Sequence, residues 1–185
     1  MAGHFNRAGA QAAPRHHRVL LPFGATTRNQ MTRVYYSKVV NAPADSVWPI
    51  IRDFGALPVW FPFVESCVLS DGASADQVGV VRTNTVTGGK VIQERLLELS
   101  DRDRRIVYSV ISGDVPVIDY TATLTVHPVT EDNCSFVAWS ADFDVDGDIT
   151  PVAEWVRSGI FATCLKELER VVRDRQVPAA RTQGA

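Results

Sequence analysis

The feature that most constrains the fold is one long amphipathic pattern near the carboxyl end of the chain, between Pro151 and Arg175. Its apolar and small residues recur at spacings of three and four, which is the period of one face of an α-helix. They are Val152, Trp155, Val156, Gly159, Ile160, Thr163, Cys164, Leu168 and Val171. A helix with such a stripe must cover it with another layer, so the rest of the chain has to supply that layer.

The preceding residues predict a single antiparallel sheet. An alternating, β-prone segment at 32–41 is followed by a helix at 42–53 and a short helical turn at 55–60. Six more alternating segments follow, separated by turn residues: 63–69, 78–85, 90–99, 105–112, 120–127 and 135–143. We therefore predict an α+β fold in which a curved antiparallel sheet wraps around the long C-terminal helix, with two short helices after the first strand.

The chain length of 185 residues predicts one folded domain with an extension at each end. Residues 1–30 lack acidic side chains and apolar periodicity, so we expect a disordered amino-terminal extension there. The same composition is compatible with an organelle transit peptide, or with sequence that precedes a natural start at Met31. Residues 31–176 are expected to form the domain, and residues 177–185 a loose carboxyl-terminal tail.

Composition and charge narrow the classes of partner. The formal net charge is −2, so no strong positive field favours nucleic acid. No apolar run approaches the roughly 20 residues that a membrane-spanning helix needs, so no membrane insertion is expected. Cys67, Cys134 and Cys164 lack CxxC spacing, which argues against a disulfide framework and a zinc site and favours a reducing, cytoplasmic location. The oligomeric state stays open.

One acidic segment imitates a metal site. Residues 142–149 match the first eight positions of a calcium-binding EF-hand loop. The match then fails, because Ala153 stands where the loop needs a bidentate glutamate and Pro151 occupies the tenth position. We expect no metal here, and interpret the segment as an acidic turn before a helix amino terminus, where negative charge is favourable.

Several segments carry a resemblance to a known family. They are Ala42–Trp48 leading to Asp53–Gly55, Glu94–Leu99, Pro116–Tyr120, and Gly159–Phe161 with Leu165-Lys166. In these segments and in element order the chain resembles the START-like SRPBCC superfamily, in the branch known as polyketide cyclase/dehydrase and lipid transport. The resemblance implies a helix-grip fold with a hydrophobic cavity between sheet and long helix. It implies binding or transport of a small hydrophobic or amphipathic molecule, lipid- or polyketide-like, with no cofactor.

Strand alternation, together with this resemblance, predicts which residues face the cavity. The aromatic members of the set fit a packed core equally well. In the plant hormone receptors of the superfamily, the loops equivalent to 85–90 and 113–117 form a gate and a latch. The ligand-anchoring lysine of those receptors is replaced here by Phe61. The predicted ligand-binding residues are Phe61, Phe63, Val81, Thr83, Ile92, Glu94, Tyr108, Val110, Pro116, Tyr120, Ala122, Trp139, Val156, Ile160 and Cys164.

Glu94 is the most informative member of that set, because an inward carboxylate is costly unless it is paired or hydrogen-bonded. It either lines a polar cavity, or faces outward, or pairs with Arg82 or Arg95. If it lines the cavity, Glu94→Gln is expected to leave the fold intact. Glu94 and Tyr120 are also the candidate catalytic residues of the alternative function, a polyketide cyclase or dehydratase that uses general acid–base catalysis.

Overall fold

The structure is a computed structural model that describes residues 31–182. The predicted extension at residues 1–30 and the end of the predicted tail at 183–185 lie outside the described residues. Within residues 31–182 the chain forms one antiparallel sheet of seven strands. The strands are β1 (Thr32–Val40), β2 (Val64–Leu69), β3 (Val81–Val86), β4 (Lys90–Ser100), β5 (Arg105–Gly113), β6 (Ile118–Val129) and β7 (Cys134–Asp144).

The helical elements fall in two parts of the chain, between β1 and β3 and after β7. Helix α1 (Ala44–Arg52) and a 3₁₀ turn (Leu57–Val59) connect β1 to β2, and a second 3₁₀ turn (Ser70–Gly72) follows β2. After β7 come α2 (Ile149–Glu154), a π-helical segment (Trp155–Phe161) and α3 (Ala162–Thr182) without a break. The helix thus continues beyond the predicted end at Arg175.

The strand order is β1-β7-β6-β5-β4-β3-β2, so chain neighbours pair as hairpins from β2 to β7, and β1 closes onto β7. The alternating apolar residues of β6 and β7 are buried, including Leu124, Val126, Val137 and Phe143. The long helix packs on this face: the rings of Trp139 and Phe161 stack with centroids 4.2 Å apart. The predicted helix-grip fold is confirmed.

The long helix differs from the prediction in its phase. A π-helical turn holds more residues than an α-helical turn, so the segment Trp155–Phe161 rotates the apolar stripe along the helix axis. Phe161 is fully buried although it lies outside the predicted stripe, and Trp155 is 44% exposed although it lies within it. The helix still buries one face, which continues through Leu165, Leu168 and Val172.

A candidate ligand cavity between the sheet and the long helix

A cavity of about 610 Å³ lies between the π-helical segment and the inner face of the sheet. Its walls are mainly aromatic and aliphatic side chains from β2 to β7, the long helix and two loops. Most of the predicted ligand-binding residues line it: Phe61, Phe63, Ile92, Glu94, Tyr108, Val110, Pro116, Tyr120, Trp139, Val156 and Ile160. The fold therefore brings together residues that are far apart in the sequence.

Four predicted residues do not line the cavity. Val81 and Thr83 lie on the other face of β3, because Arg82 and Asn84 are the buried residues of that strand. Ala122 and Cys164 point inward but are completely covered by the core, and burial raises the pKa of the Cys164 thiol. Alternation assigned the wrong face of β3, since its inward side chains are polar rather than apolar.

Glu94 lies inside the cavity and is paired at the same time. Its Oε2 accepts a hydrogen bond of 2.7 Å from Arg82 Nε and one of 2.8 Å from Asn84 Nδ2. Arg82 stands directly opposite Glu94 in the register of β3 and β4, which explains how the two side chains meet. Glu94 therefore both lines the cavity and pairs with Arg82, which were alternatives at the level of the sequence.

The Arg82 guanidinium is held on several sides. Its Nη1 donates to the Phe54 carbonyl oxygen at 3.1 Å, and its Cζ lies 3.9 Å from the centroid of the Phe54 ring and 5.0 Å from that of Tyr108. Such cation–π contacts stabilise a desolvated guanidinium. Arg82, Glu94 and Asn84 thus form a buried polar cluster, which we call the inner cluster.

Two tyrosines, Tyr108 and Tyr120, lie beside the inner cluster. The rings of Tyr108 and Tyr120 have centroids 6.4 Å apart, and Tyr120 also stacks on Phe143. Burial raises the pKa of both hydroxyls well above the ordinary tyrosine value, and the nearby Glu94 charge adds to the shift. Both therefore stay uncharged hydroxyls at neutral pH, able to donate or accept a hydrogen bond.

The other end of the cavity opens between two loops, the β3–β4 turn and the β5–β6 connection. Lys90 Nζ and Asp114 Oδ2 form an ion pair of 2.8 Å across this opening, which we call the mouth. Thr87 and Val115 also line it. Gly113, the last residue of β5, has φ +145°, and a Cβ there would lie 3.0 Å from the Val91 carbonyl oxygen, so a side chain does not fit between the paired strands β4 and β5 at this end.

Gly159 lies in the π-helical segment that forms one wall of the cavity. A Cβ at this position would lie 3.1 Å from Cδ1 of Trp155, so the missing side chain makes room for the indole. Gly159 also lines the cavity.

Sequence reasoning missed several lining residues. Asn84 was hidden by the wrong face assignment of β3, and Lys90 and Asp114 carry no apolar signal at all. A usable signal existed for β3: an inward Glu94 requires a cation on a neighbouring strand, and Arg82 fits that register. The lining residues outside the predicted ligand-binding set are Leu57, Val64, Asn84, Val86, Thr87, Lys90, Asp114, Val115, Val117, Trp155 and Gly159.

The sequence model of one protein family, described as polyketide cyclase/dehydrase and lipid transport, matches residues 31–173. The chain belongs to this family. The match spans well over half of the sequence and confirms the resemblance to the START-like SRPBCC superfamily. It covers every strand of the sheet and most of the long helix.

Three individual proteins are similar to this chain in sequence or structure. The chain is 31% identical over 121 residues to abscisic acid receptor PYL7 of Arabidopsis thaliana, which covers 64% of this chain and 56% of the receptor. The chain thus spans about half the length of that curated relative. The solved structure of the protein XoxI from Bacillus cereus is similar with a TM-score of 0.70 and 31% identity, covering 79% of this chain and 99% of that one. A norcoclaurine synthase from Thalictrum, with a TM-score of 0.64 and 19% identity over 80% of this chain and 98% of that one, shows the fold alone.

The acidic segment at 142–149 and the cysteines Cys67 and Cys164 lie in surroundings that account for them structurally. Asp148, in the segment that imitates a calcium loop, caps α2 by accepting a 2.9 Å hydrogen bond from the Thr150 amide. Within residues 31–182, no group of three or more potential metal ligands comes together, and no helix is both long and apolar enough to cross a bilayer. Burial raises the pKa of Cys67 as well as that of Cys164, so neither thiol is activated as a nucleophile.

Proposed function

We propose that this chain binds or transports a small, mainly apolar molecule, lipid- or polyketide-like, in the cavity between the sheet and the long helix. The observation that carries the proposal is the cavity itself. Protein interiors are close-packed, so an apolar space of about 610 Å³ is far larger than a packing defect. It falls within the range of about 300–1,000 Å³ that small-molecule pockets occupy.

The distribution of polar groups supports binding. A small number of hydrogen-bonding side chains interrupts a largely aromatic wall, as is usual in sites that orient an apolar ligand. The family description includes lipid transport, and one relative is named a receptor for abscisic acid, which is a small molecule. Both are consistent with a ligand-binding role for residues 31–176.

A blocking substitution tests this proposal. Ile160 lines the cavity and is half-buried, so Ile160→Trp places a large ring in the space that the ligand needs. Ser158→Trp is the matched control, because Ser158 lies in the same helical segment and is exposed. We expect the neutral fluorescent probe N-phenyl-1-naphthylamine to bind the unmodified chain and Ser158→Trp alike, and to bind Ile160→Trp at least about tenfold more weakly. Equal binding by a folded Ile160→Trp protein would contradict the proposed location.

Acid–base catalysis on a polyketide-like substrate is the second candidate function. The observation that favours it is that Glu94 and the Tyr120 hydroxyl line one cavity, close enough for the Glu94 charge to raise the pKa of Tyr120. If the chain is a cyclase or dehydratase, Tyr120→Phe should lower turnover by about 10²–10⁴-fold while ligand affinity changes far less. A pure binding protein would show no turnover to lose.

The cellular setting of this function is also a proposal. The three cysteines are free, which fits a reducing compartment such as the cytoplasm. The partner we expect is the small ligand, with no nucleic acid, since the net charge is −2.

A further inference from the structure

Two buried polar atoms in the cavity wall have no hydrogen-bond partner in the protein. They are Nε1 of Trp139, a donor, and Oδ1 of Asn84, an acceptor. The two residues are only 1% and 2% exposed, and both line the cavity. An unpaired buried polar atom is costly, and such atoms in native proteins commonly mark a place that a bound group completes.

The Trp139 indole is fixed in position, so its N–H cannot turn away to find a partner. Its ring is stacked on Phe161 with an interplanar angle of 12°, and Phe61 packs against it edge-on at 5.8 Å. The Tyr108 hydroxyl lies near enough to act as a weak acceptor for the indole N–H, which opposes the rise in the tyrosine pKa, but no hydrogen bond of ordinary geometry joins the two groups. An acceptor that enters from the cavity can therefore give this donor the full hydrogen bond that the protein does not supply.

The charges around the cavity define which acceptors can enter. Glu94 is already paired with Arg82, so it does not need a cationic ligand. Its carboxylate lies near enough to Tyr120 for its negative charge to raise the tyrosine pKa. Among the described residues that line the cavity, Lys90 is the one cationic side chain, and it is paired with Asp114 at the mouth. A carboxylate carried to the inner end would lose its water, and the cation there, Arg82, is already paired with Glu94, so its entry is strongly unfavourable.

We propose that the ligand is an uncharged molecule whose hydroxyl or ketone oxygen accepts a hydrogen bond from Trp139 Nε1, and that acidic ligands are rejected. A hydroxyl can also donate to the open acceptor Asn84 Oδ1. This proposal rests on the proposed function and specifies the ligand class for the same cavity.

A set of four naphthalene probes tests the ligand class on the unmodified chain. Naphthalene has no polar group, 2-methoxynaphthalene only accepts, 2-naphthol accepts and donates, and 2-naphthoate is anionic at pH 7. We expect 2-naphthol to displace N-phenyl-1-naphthylamine at least about tenfold more effectively than 2-naphthoate, since the carboxylate loses its water without a free cation. Relative to naphthalene, we expect 2-naphthol to gain up to about tenfold in affinity from one hydrogen bond. Equal or tighter binding of 2-naphthoate would overturn the proposal.

A substitution that removes the indole N–H but keeps an aromatic ring tests the role of Trp139. Trp139→Phe keeps an aromatic ring against Phe161, and Trp48→Phe is the matched control, because Trp48 Nε1 donates to Asp101 and Trp48 does not line the cavity. Trp139→Phe should lose most of the preference for 2-naphthol and 2-methoxynaphthalene over naphthalene, and Trp48→Phe should keep it. An unchanged preference in a folded Trp139→Phe protein would overturn the proposal, and if that variant does not fold, the four-probe comparison on the unmodified chain decides.

The same experiment separates this proposal from the proposed function. If neither naphthalene nor N-phenyl-1-naphthylamine binds the unmodified chain, the proposed function itself is contradicted. If both bind and the oxygen makes no difference, the cavity is a binding site and only the ligand class assigned here is wrong.

Discussion

Two ion pairs of nearly equal length stand at opposite ends of the cavity. At the inner end, Arg82 Nε and Glu94 Oε2 are 2.7 Å apart, and the two side chains are 6% and 11% exposed. At the mouth, Lys90 Nζ and Asp114 Oδ2 are 2.8 Å apart, and the side chains are 57% and 78% exposed. The distance between the charges is the same within 0.1 Å, and their contact with water is entirely different.

Distance alone therefore does not determine what an ion pair contributes to stability. The mouth pair exchanges water for an ion contact with little net gain, and salt screens it. The inner pair has lost its water, so each charge depends on the other and on the hydrogen bonds from Asn84 and to Phe54. We infer that the inner cluster holds the fold and shapes the cavity, whereas the mouth pair affects how a ligand enters and leaves.

The largest expected effect comes from breaking the inner pair. Glu94→Gln leaves the buried Arg82 guanidinium without its counter-ion, so we expect the free energy of unfolding, measured in urea, to fall by about 3–5 kcal/mol. This reverses the sequence-based expectation that the substitution leaves the fold intact. Glu94→Gln keeps the size of the side chain, so the loss of charge is the main change.

Glu98→Gln is the matched control for that substitution. Glu98 lies on the same strand and pairs with Arg105 at 3.4 Å, with both side chains nearly half exposed, so its loss should change stability by less than about 1 kcal/mol. Equal effects of the two substitutions would show that burial does not distinguish these pairs. The double variant Arg82→Met with Glu94→Gln should be more stable than the sum of the single losses predicts.

A second, intermediate effect concerns the buried tyrosines at the inner end. Because burial raises the pKa of Tyr108 and Tyr120 in the folded chain, the folded state holds these protons where the unfolded state, with a pKa of about 10, releases them. Their stabilising contribution is complete below about pH 10 and declines as pH rises beyond it, by up to about 1.4 kcal/mol per pH unit for each group.

Replacement of the hydroxyls provides the measurement for this pH dependence. Tyr108→Phe and Tyr120→Phe together should flatten the decline of unfolding free energy between about pH 10 and pH 11 relative to the unmodified chain. The difference between the two slopes isolates the tyrosines from other groups that titrate in that range. Parallel slopes would mean that the two hydroxyls ionise as readily in the folded chain as in the unfolded one.

The smallest effect on stability is expected at the mouth. Lys90→Met removes an exposed charge, so the free energy of unfolding should change by less than about 1 kcal/mol. Ligand association and dissociation should both become faster, because the β3–β4 and β5–β6 loops lose the contact that joins them, and added salt should no longer change these rates.

Lys38→Met is a suitable comparison for the kinetic measurement. Lys38 pairs with Glu169 at 2.9 Å between β1 and the long helix, and it does not line the cavity. Stopped-flow rates with N-phenyl-1-naphthylamine should be unchanged in this variant. If both lysine variants alter the rates equally, or neither does, the mouth pair has no special role in ligand exchange.

The fold was predictable because apolar side chains recur at every second residue of the strands and at every third or fourth residue of the helix. The apolar faces of β6 and β7 are buried as expected, down to Leu124 and Val137. The π-helical segment was not predictable from spacing, since nothing in the residues from Trp155 to Phe161 distinguishes it from an α-helical turn. It displaces Phe161 into the core, against Trp139, and turns Trp155 outward.

The inner cluster shows a different limit of the sequence. Alternation assumes that inward side chains are apolar, and β3 breaks this rule because Arg82 and Asn84 are buried through their bonds to Glu94 on the next strand. The partner of a buried charge is set by strand register, which a pattern within one strand does not contain. Lys90 and Asp114 fall within the segments 85–90 and 113–117 that the family resemblance associates with a gate and a latch, but only the folded loops reveal that the two side chains pair.

The central claim is that a ligand occupies the cavity beside Trp139. The chain has four tryptophans, at positions 48, 60, 139 and 155, and each indole N–H gives its own signal in a nitrogen–proton correlation spectrum. On titration with 2-naphthol, we predict that the signals of Trp139 and Trp155, which line the cavity, shift until saturation, while that of Trp48 stays in place. Saturable binding that leaves the Trp139 and Trp155 signals unmoved would contradict the account.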